Sequence, residues 1–146
     1  MAILDQHWQA FTDSGVGIIG PDGQPIVVDS IVPGAPKGQF VAVFDSGFTF
    51  RCARFIIFLT NPPTLTRCTS QVPRAVSDAI YGRVQGAVYD TQNEYWTVPC
   101  GQYLNISFGF GGLQYPIHPF DTVDDNFGKV DSNGNPICIG AVGSLS

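Results

Sequence analysis

The sequence is poor in charged residues, and this scarcity excludes several kinds of partner. Only 13% of its 146 residues are charged, and the lysines are limited to Lys37 and Lys129. With a net charge of −5, the chain has too few basic side chains to neutralise phosphates, so we expect no nucleic-acid partner. No apolar run approaches the roughly 20 residues of a membrane-spanning helix, so we expect no membrane partner either.

The first residues also lack the pattern of a secretory signal. Residues 1–7, MAILDQH, contain no charged stretch followed by an apolar one, which taken alone predicts a cytoplasmic protein. Four cysteines and the glycosylation triplet Asn105-Ile106-Ser107, with Asn105 as acceptor, indicate secretion instead. A chain that is part of a longer protein would satisfy both observations.

Turn-forming and aromatic residues are abundant. The chain has 17 glycines, 11 prolines, 12% aromatic and 44% hydrophobic residues. Its length suits one domain, and this mixture predicts an all-β fold of many short strands. A single main helix is expected over 73–86, where Val76, Ile80 and Val84 repeat every four residues. The predicted strands are 8–11, 26–28, 40–44, 95–98, 103–110, 113–117 and 137–139, and residues 121–136 are predicted to be turns.

Residues 51–70 differ from their surroundings in composition. They hold three of the five arginines, two of the four cysteines and no acidic residue. Their apolar run, 55–59, has neither helical nor alternating periodicity. We therefore expect a loop insertion closed by Cys52 and Cys68, and we interpret it as an intron that is retained and read in frame.

Several short motifs are more typical of turns than of sites. The spacing Gly15-x-Gly17-x-x-Gly20 matches a dinucleotide-binding fingerprint, but Pro21-Asp22-Gly23 follows where a helix should begin. The segment Asp131-Ser132-Asn133-Gly134 lacks the downstream glutamate of a calcium loop. No cysteine or carboxylate has metal-ligand spacing to His7 or His118, so we expect no metal site and no cofactor.

Asp45 is the strongest candidate for chemistry. The five apolar residues 40–44 predict a buried strand that ends at Asp45, and Ser46-Gly47 follow as a tight turn. A carboxylate at the end of a core strand is hydrogen-bonded, partly desolvated or functional. As a tripeptide, Asp-Ser-Gly is equally typical of an ordinary turn. Both interpretations stay open on these residues alone.

Five landmarks in order resemble the C-terminal lobe of the pepsin-like aspartic protease family. The resemblance covers nearly the whole chain except residues 51–70. The landmarks are Trp8-Gln9, the strand and motif Phe40 to Gly47, the helix from Val72-Pro73 to Gly86-Ala87, the hairpin Ile106-Ser107-Phe108 with Gly111-Gly112-Leu113-Gln114-Tyr115-Pro116-Ile117, and the pair Cys100 and Cys138 that brackets the hairpin.

The resemblance implies both a fold and a reaction. The fold is mainly β, with one main helix, as the C-terminal lobe of a bilobal acid protease. Asp45 would be one of two catalytic aspartates that activate water and cleave a polypeptide substrate without metal or cofactor. Gly47, Phe48 and Thr49 would line the substrate site, and Ser46 would brace the loop. A Cys100–Cys138 disulfide is implied, as is an extracellular or vacuolar location of the full-length protein.

Three departures from the family's pattern bear on activity. Phe48 stands where the family has Thr or Ser, the N-terminal lobe is absent, and the chain stops before a strand that crosses behind the catalytic loop. We expect a core strand to be left unpaired and this fragment to be inactive alone. The alternatives are a non-catalytic pepsin-like protein that binds peptide or glycan, favoured by Phe48, and an unrelated small secreted β-sandwich.

Overall fold

The structure, a computed structural model, describes residues 7–30, 32–45, 54–57 and 70–145. Within these ranges the chain is mainly β with a single α-helix, as its composition predicted. The strands are β1 (His7–Phe11), β2 (Ile18–Ile19), β3 (Val41–Asp45), β4 (Arg54–Ile57), β5 (Ser70–Pro73), β6 (Val88–Asp90), β7 (Tyr95–Pro99), β8 (Ser107–Phe110), β9 (Leu113–Pro116), β10 (Val123–Val130), β11 (Pro136–Gly140) and β12 (Val142–Leu145). The helix is α1 (Arg74–Tyr81), and Pro119–Asp121 form a 3-10 turn.

These strands form three sheets. The largest has the order β1-β3-β4-β5-β12, in which the first two pairings are antiparallel and the last two are parallel. A four-stranded antiparallel sheet has the order β10-β11-β7-β6, and a three-stranded antiparallel sheet has the order β2-β8-β9. The predicted hairpin is therefore present as β8 and β9.

The expectation of an unpaired core strand is wrong for β3. β3 pairs with β1 along one edge and with β4 along the other. β4 belongs to the segment 51–70, so the expectation of a loop is also wrong at Arg54–Ile57. The apolar run lacks sequence periodicity, but it pairs with β3, the strand before it, and with β5. Residues 51–53 and 58–69, and with them the predicted Cys52–Cys68 bridge, lie outside the described residues.

Helix α1 is shorter than predicted because the residues after Tyr81 form tighter, 3-10-like turns. Val76 and Ile80 are fully buried, one turn apart, as the apolar repeat required. After Tyr81 the hydrogen bonds change to an i to i+3 pattern, with the Val84 N–H donating to the Tyr81 carbonyl. Val84 is still buried, so the hydrophobic repeat predicted its burial correctly. The α-helix itself has already ended at Tyr81.

Several regions differ from the strand predictions. The strand predicted over 103–110 begins only at Ser107, and β5, β6 and β12 were not predicted. Ile26 is buried and Val27 is 78% exposed, but residues 26–28 form no strand, since only a single bridge joins Pro25 to Ile19. Conversely, β10 occupies much of the predicted turn region 121–136. Its described side chains are exposed or half-buried, so it carries no apolar alternation, and its register shifts between Asp124 and Lys129.

The core lies between α1 and the sheets. Fully or nearly buried apolar side chains from every sheet contribute to it, together with the helix. Its largest fully buried side chains are those of Tyr81, Phe108, Ile18, Ile80, Ile106, Val72, Val76, Val98 and Val142.

Candidate functional site

Asp45, the predicted catalytic residue, is the last residue of β3. In the strand register, His7 of β1 lies opposite Asp45 on one side and Arg54 of β4 lies opposite it on the other. Asp45 thus ends a strand that is hydrogen-bonded along both edges, at the position predicted from the apolar run 40–44. The other predicted site residues of this loop, Ser46, Gly47, Phe48 and Thr49, lie outside the described residues.

Thr12 fixes the start of this strand. The Thr12 N–H donates to the Phe40 carbonyl at 2.9 Å, and the Phe40 N–H donates to the Thr12 hydroxyl at 2.8 Å. The Gln39 side-chain amide donates to the Thr12 carbonyl at 2.8 Å. Thr12 is fully buried, and a Cβ added at Gly17 would lie 2.7 Å from the Thr12 Cβ. The chain leaving β1 is therefore held against the residues that lead into β3.

Phe40 and the first two residues of β3 lie in the interior of the protein. Phe40, Val41 and Ala42 are 3%, 5% and 0% exposed. A side chain such as that of Phe40 or Val41 contributes roughly 1.5–3 kcal/mol when it is fully buried. This burial and the pairing on both edges fix the backbone path that ends at Asp45.

Tyr81 connects α1 to two other parts of the fold. Its side chain is fully buried, and its hydroxyl donates to the Thr122 carbonyl at 3.1 Å and accepts from the Val142 N–H at 2.9 Å. Burial raises the pKa of the Tyr81 hydroxyl, and the hydrogen bond from Val142 opposes this shift. A Cβ added at Gly140 would lie 2.7 Å from two carbons of the Tyr81 ring. The sequence gives no hint of this contact, because its members are far apart in the chain.

A second network joins α1 to β6 and β7. The Asp78 carboxylate accepts hydrogen bonds from the Arg74 guanidinium at 2.6 Å and from the Trp96 indole N–H at 2.9 Å. The guanidinium also lies 3.4 Å from the centroid of the Tyr89 ring. The hydrogen bond to Asp78 raises the pKa of Arg74. Because every member has a partner inside the network, its role is to hold the helix on the sheet.

The hairpin of β8 and β9 is held onto the turn before β2. The Gly112 N–H donates to the Asp13 carboxylate at 2.9 Å, and the Gln114 side-chain amide donates to the Val16 carbonyl at 3.0 Å. The Ser107 hydroxyl donates to the Gln114 amide oxygen at 2.8 Å. These polar contacts fix the hairpin's position although its return strand, β9, is exposed on both faces.

The implied disulfide is present between Cys100 and Cys138, with a Cα–Cα distance of 5.1 Å. It joins the residue after β7 to the middle of β11, and Cys138 is fully buried. Because these strands are already adjacent in the four-stranded sheet, the bridge anchors the segment that leaves β7 toward β8.

A cleft of about 290 Å³ lies beside this disulfide and was not predicted from the sequence. Its lining includes two exposed aromatic rings, Tyr103 and Phe120, whose centroids are 5.5 Å apart, edge to face. Gln102 and Asp125 add polar groups to the wall. No local pattern could reveal the cleft, because its rings come from segments on opposite sides of the β8–β9 hairpin in sequence.

Three described turns hold an aspartate whose pKa is lowered, and the backbone N–H of Gln24 has this effect on Asp22. The side-chain amide of Asn93 lowers the pKa of Asp90, and the backbone N–H of Asn135 lowers that of Asp131. The segment from Asp131 to Gly134 is a turn, with Gly134 at φ 82°, as predicted. These carboxylates satisfy the backbone of their own turns.

The described part of the chain contains no group of three or more His, Cys, Asp or Glu side chains that could hold a metal ion. None of its helices is long and apolar enough to cross a membrane. No protein-family model matches the sequence, and no curated protein matches it. The resemblance to aspartic proteases therefore depends on the landmarks in the sequence itself.

Proposed function

We propose that this chain is the C-terminal lobe of a pepsin-like aspartic endopeptidase and that Asp45 is one of its two catalytic aspartates. The observation that carries the proposal is the location of Asp45 at the end of a strand with partners on both edges, directly before Ser46-Gly47. Strands of this kind present a carboxylate at a fixed point, as a reaction that depends on positioning requires.

The order of the other elements supports the same proposal. After β3 come one α-helix, a hairpin that begins at Ser107, and a disulfide whose cysteines bracket the hairpin. These elements coincide with the landmarks on which the resemblance was based. Each element alone is common, and the proposal depends on their order along one chain.

The chemistry follows from two carboxylates held close together. A second lobe would supply the partner of Asp45, and two such groups cannot both ionise, so they share one proton. The ionised carboxylate takes a proton from a water molecule, which attacks the peptide carbonyl carbon, while the protonated carboxylate donates to the carbonyl oxygen. In this scheme the polypeptide substrate binds between the two lobes, at a different place from the cleft beside the disulfide, and the reaction requires both lobes. We therefore expect no cleavage by this chain alone.

Asp45→Asn in the complete protein tests the proposal. The assay is cleavage of denatured globin at about pH 3–5, where a carboxylate pair shares its proton, with and without a statine-type inhibitor. We expect inhibitor-sensitive cleavage that the substitution abolishes. Asp29→Asn is the matched control, because it makes the same charge change at an exposed coil residue and should leave activity unchanged. Cleavage that persists in folded Asp45→Asn would refute the assignment.

Phe48 favours a second candidate function. The family's threonine or serine at this position braces the aspartate by a hydrogen bond, and a phenylalanine has no group that could do so. A pepsin-like protein that binds peptide or glycan without cleaving it is the corresponding alternative. A complete, folded protein that shows no cleavage would favour this alternative, and Asp45 would then be a structural turn residue.

The origin of residues 51–70 stays a separate hypothesis. Their basic composition and their place inside an otherwise continuous resemblance support a retained intron. The position of β4 (Arg54–Ile57) between β3 and β5 in the largest sheet weighs against it. Sequencing the transcript tests it, since a mature message that still encodes these residues would refute the hypothesis.

A further inference from the structure

The segment that leads into β8 alternates between the interior and the surface. Leu104 and Ile106 are 4% and 1% exposed, whereas Tyr103 and Asn105 are exposed. Residues two apart in an extended segment point to the same side. The side chains of Tyr103 and Asn105 therefore share the outer face of this segment, next to the cleft.

Two aromatic rings, one on this outer face and one from the 3-10 turn, are left uncovered by the described part of the chain. Tyr103 is 63% exposed and Phe120 is 69% exposed. They contact one another edge to face, and the His118 ring lies 5.1 Å from that of Phe120. Exposed rings that are grouped in this way, beside a cleft, are typical of a binding surface rather than of scattered surface residues.

The cleft combines this apolar surface with hydrogen-bonding groups. The Gln102 side-chain nitrogen donates to the Gln85 carbonyl at 3.1 Å, which leaves its amide oxygen as an acceptor. The Asp125 carboxylate supplies further acceptors. The volume of about 290 Å³ is near the lower end of small-molecule sites, about 300 Å³. Aromatic faces with neighbouring acceptors suit a sugar, whose C–H groups pack on the rings and whose hydroxyls donate to the acceptors.

We infer that Asn105 carries an N-linked glycan and that the first sugars of this glycan pack on Tyr103 and Phe120. In the modification, the Asn105 side-chain nitrogen forms a bond to the anomeric carbon of a lipid-diphosphate-linked oligosaccharide. The bond between that carbon and the diphosphate breaks, the lipid diphosphate leaves, and the amide nitrogen releases one proton. The inference is independent of the proposed protease activity.

A glycan attached to Asn105 is favoured over a free ligand at this surface because it is covalently held beside the rings. A sugar on Asn105 is tethered two residues from Tyr103 on the same face, so its effective concentration at the rings is high. Ser107, the hydroxyl residue of the triplet, donates to Gln114 in the folded hairpin. We therefore expect the modification to precede the closure of β8 on β9.

The first measurement is the occupancy of Asn105. The complete protein is expressed in yeast behind a secretion signal, and Asn105 peptides from secreted and cell-retained material together are analysed by mass spectrometry. We expect a glycan that peptide-N-glycosidase removes and that Asn105→Gln eliminates. An unmodified Asn105 in the combined material would overturn the inference, because transfer does not require the protein to be exported.

The second measurement tests packing on the rings. The glycan is trimmed to one N-acetylglucosamine or removed, and the oxidation of aromatic side chains by hydroxyl radicals is compared between the two forms. We expect the retained sugar to reduce the oxidation of Tyr103 and Phe120 severalfold and to leave Tyr115, which is 51% exposed on β9, unchanged. Equal oxidation of Tyr103 in both forms would overturn the packing.

A variant pair provides an independent check of the same contact. Removing the remaining sugar should lower the urea midpoint of the native protein and of Tyr115→Ala but not that of Tyr103→Ala. Tyr115→Ala is the matched control, because it removes an exposed tyrosine that is not part of the cleft lining. A sugar effect of the same size in both variants would contradict the proposed contact.

Discussion

Replacing Tyr81 by phenylalanine isolates one buried hydroxyl. The ring volume is retained, so no cavity opens, and only the two hydrogen bonds of the hydroxyl are lost. The Thr122 carbonyl keeps a second donor, the Ala141 N–H at 3.0 Å. The Val142 N–H loses the tyrosine oxygen, and Val142 is 1% exposed, so water cannot easily replace it.

The loss of stability comes mainly from the Val142 N–H, because the Thr122 carbonyl keeps a donor and the Val142 N–H does not keep an acceptor. A buried donor left without a partner costs about 1–3 kcal/mol, so we expect Tyr81→Phe to lower the free energy of unfolding by about 2 kcal/mol. For a chain of this length, that corresponds to a decrease in Tm of about 4–8 °C. In urea, with a typical m-value of about 2 kcal/mol/M, the midpoint should fall by about 1 M.

The assay is urea unfolding followed by tryptophan fluorescence and circular dichroism. We expect the midpoint to change and the m-value to stay the same, since the buried area is unaltered. Tyr115→Phe is the control, because Tyr115 is half exposed, and its change should be within about 0.5 kcal/mol. An unchanged midpoint for Tyr81→Phe would refute the hydrogen-bonding role of its hydroxyl.

Three further predictions concern neighbouring features. Gly140→Ala should destabilise the protein by about 1–3 kcal/mol, because the added methyl group overlaps the Tyr81 ring; thermal unfolding measures this. Since the pKa of Tyr81 is raised by folding, its contribution to stability is complete below about pH 10 and should fall above it by up to about 1.4 kcal/mol per pH unit. Urea midpoints at about pH 9 and 11 should therefore differ more in the native protein than in Tyr81→Phe. Replacing Cys100 and Cys138 by alanine should cost about 4 kcal/mol, from the separation of 38 residues, as measured by urea unfolding.

The outcomes that would contradict these predictions are specific. A normal midpoint for Gly140→Ala would mean that the ring can move aside. If the urea midpoint falls equally between about pH 9 and 11 in the native protein and in Tyr81→Phe, other groups control the pH dependence of stability. If the alanine pair at Cys100 and Cys138 unfolds at the native midpoint, the unfolded chain is not restricted by the bridge.

Local patterns predicted the elements that are marked by a continuous apolar run, by apolar alternation or by a hairpin turn. The run 40–44 and the return strand of the hairpin were placed to within one residue. The helix was predicted too long, because the apolar repeat continues to Val84 while Gly82 begins a tighter turn. Burial periodicity therefore identifies the buried face more reliably than the end of the helix.

The sequence could not predict strands that show no apolar alternation of their own and depend on pairing with their neighbours. Strand β10 pairs with β11, and its largely polar sequence led to the prediction of turns. β4 is a strand because β3 and β5 lie on either side of it. The candidate site at Asp45 was placed from the local apolar run, whereas its flanking residues His7 and Arg54 follow from register alone.

The parallel pairing of β5 with β12 has a consequence for the order of events during synthesis. The hydroxyl of Tyr81 and the N–H of Val142 are separated by 61 residues, so α1 leaves the ribosome long before its partner does. Long-range closures of this kind are slow, since the chain entropy must be lost before the contacts form. Until β12 is made, β5 has a free edge that could pair with another nascent chain. A chaperone that occupies this edge during translation would therefore raise the yield of folded protein.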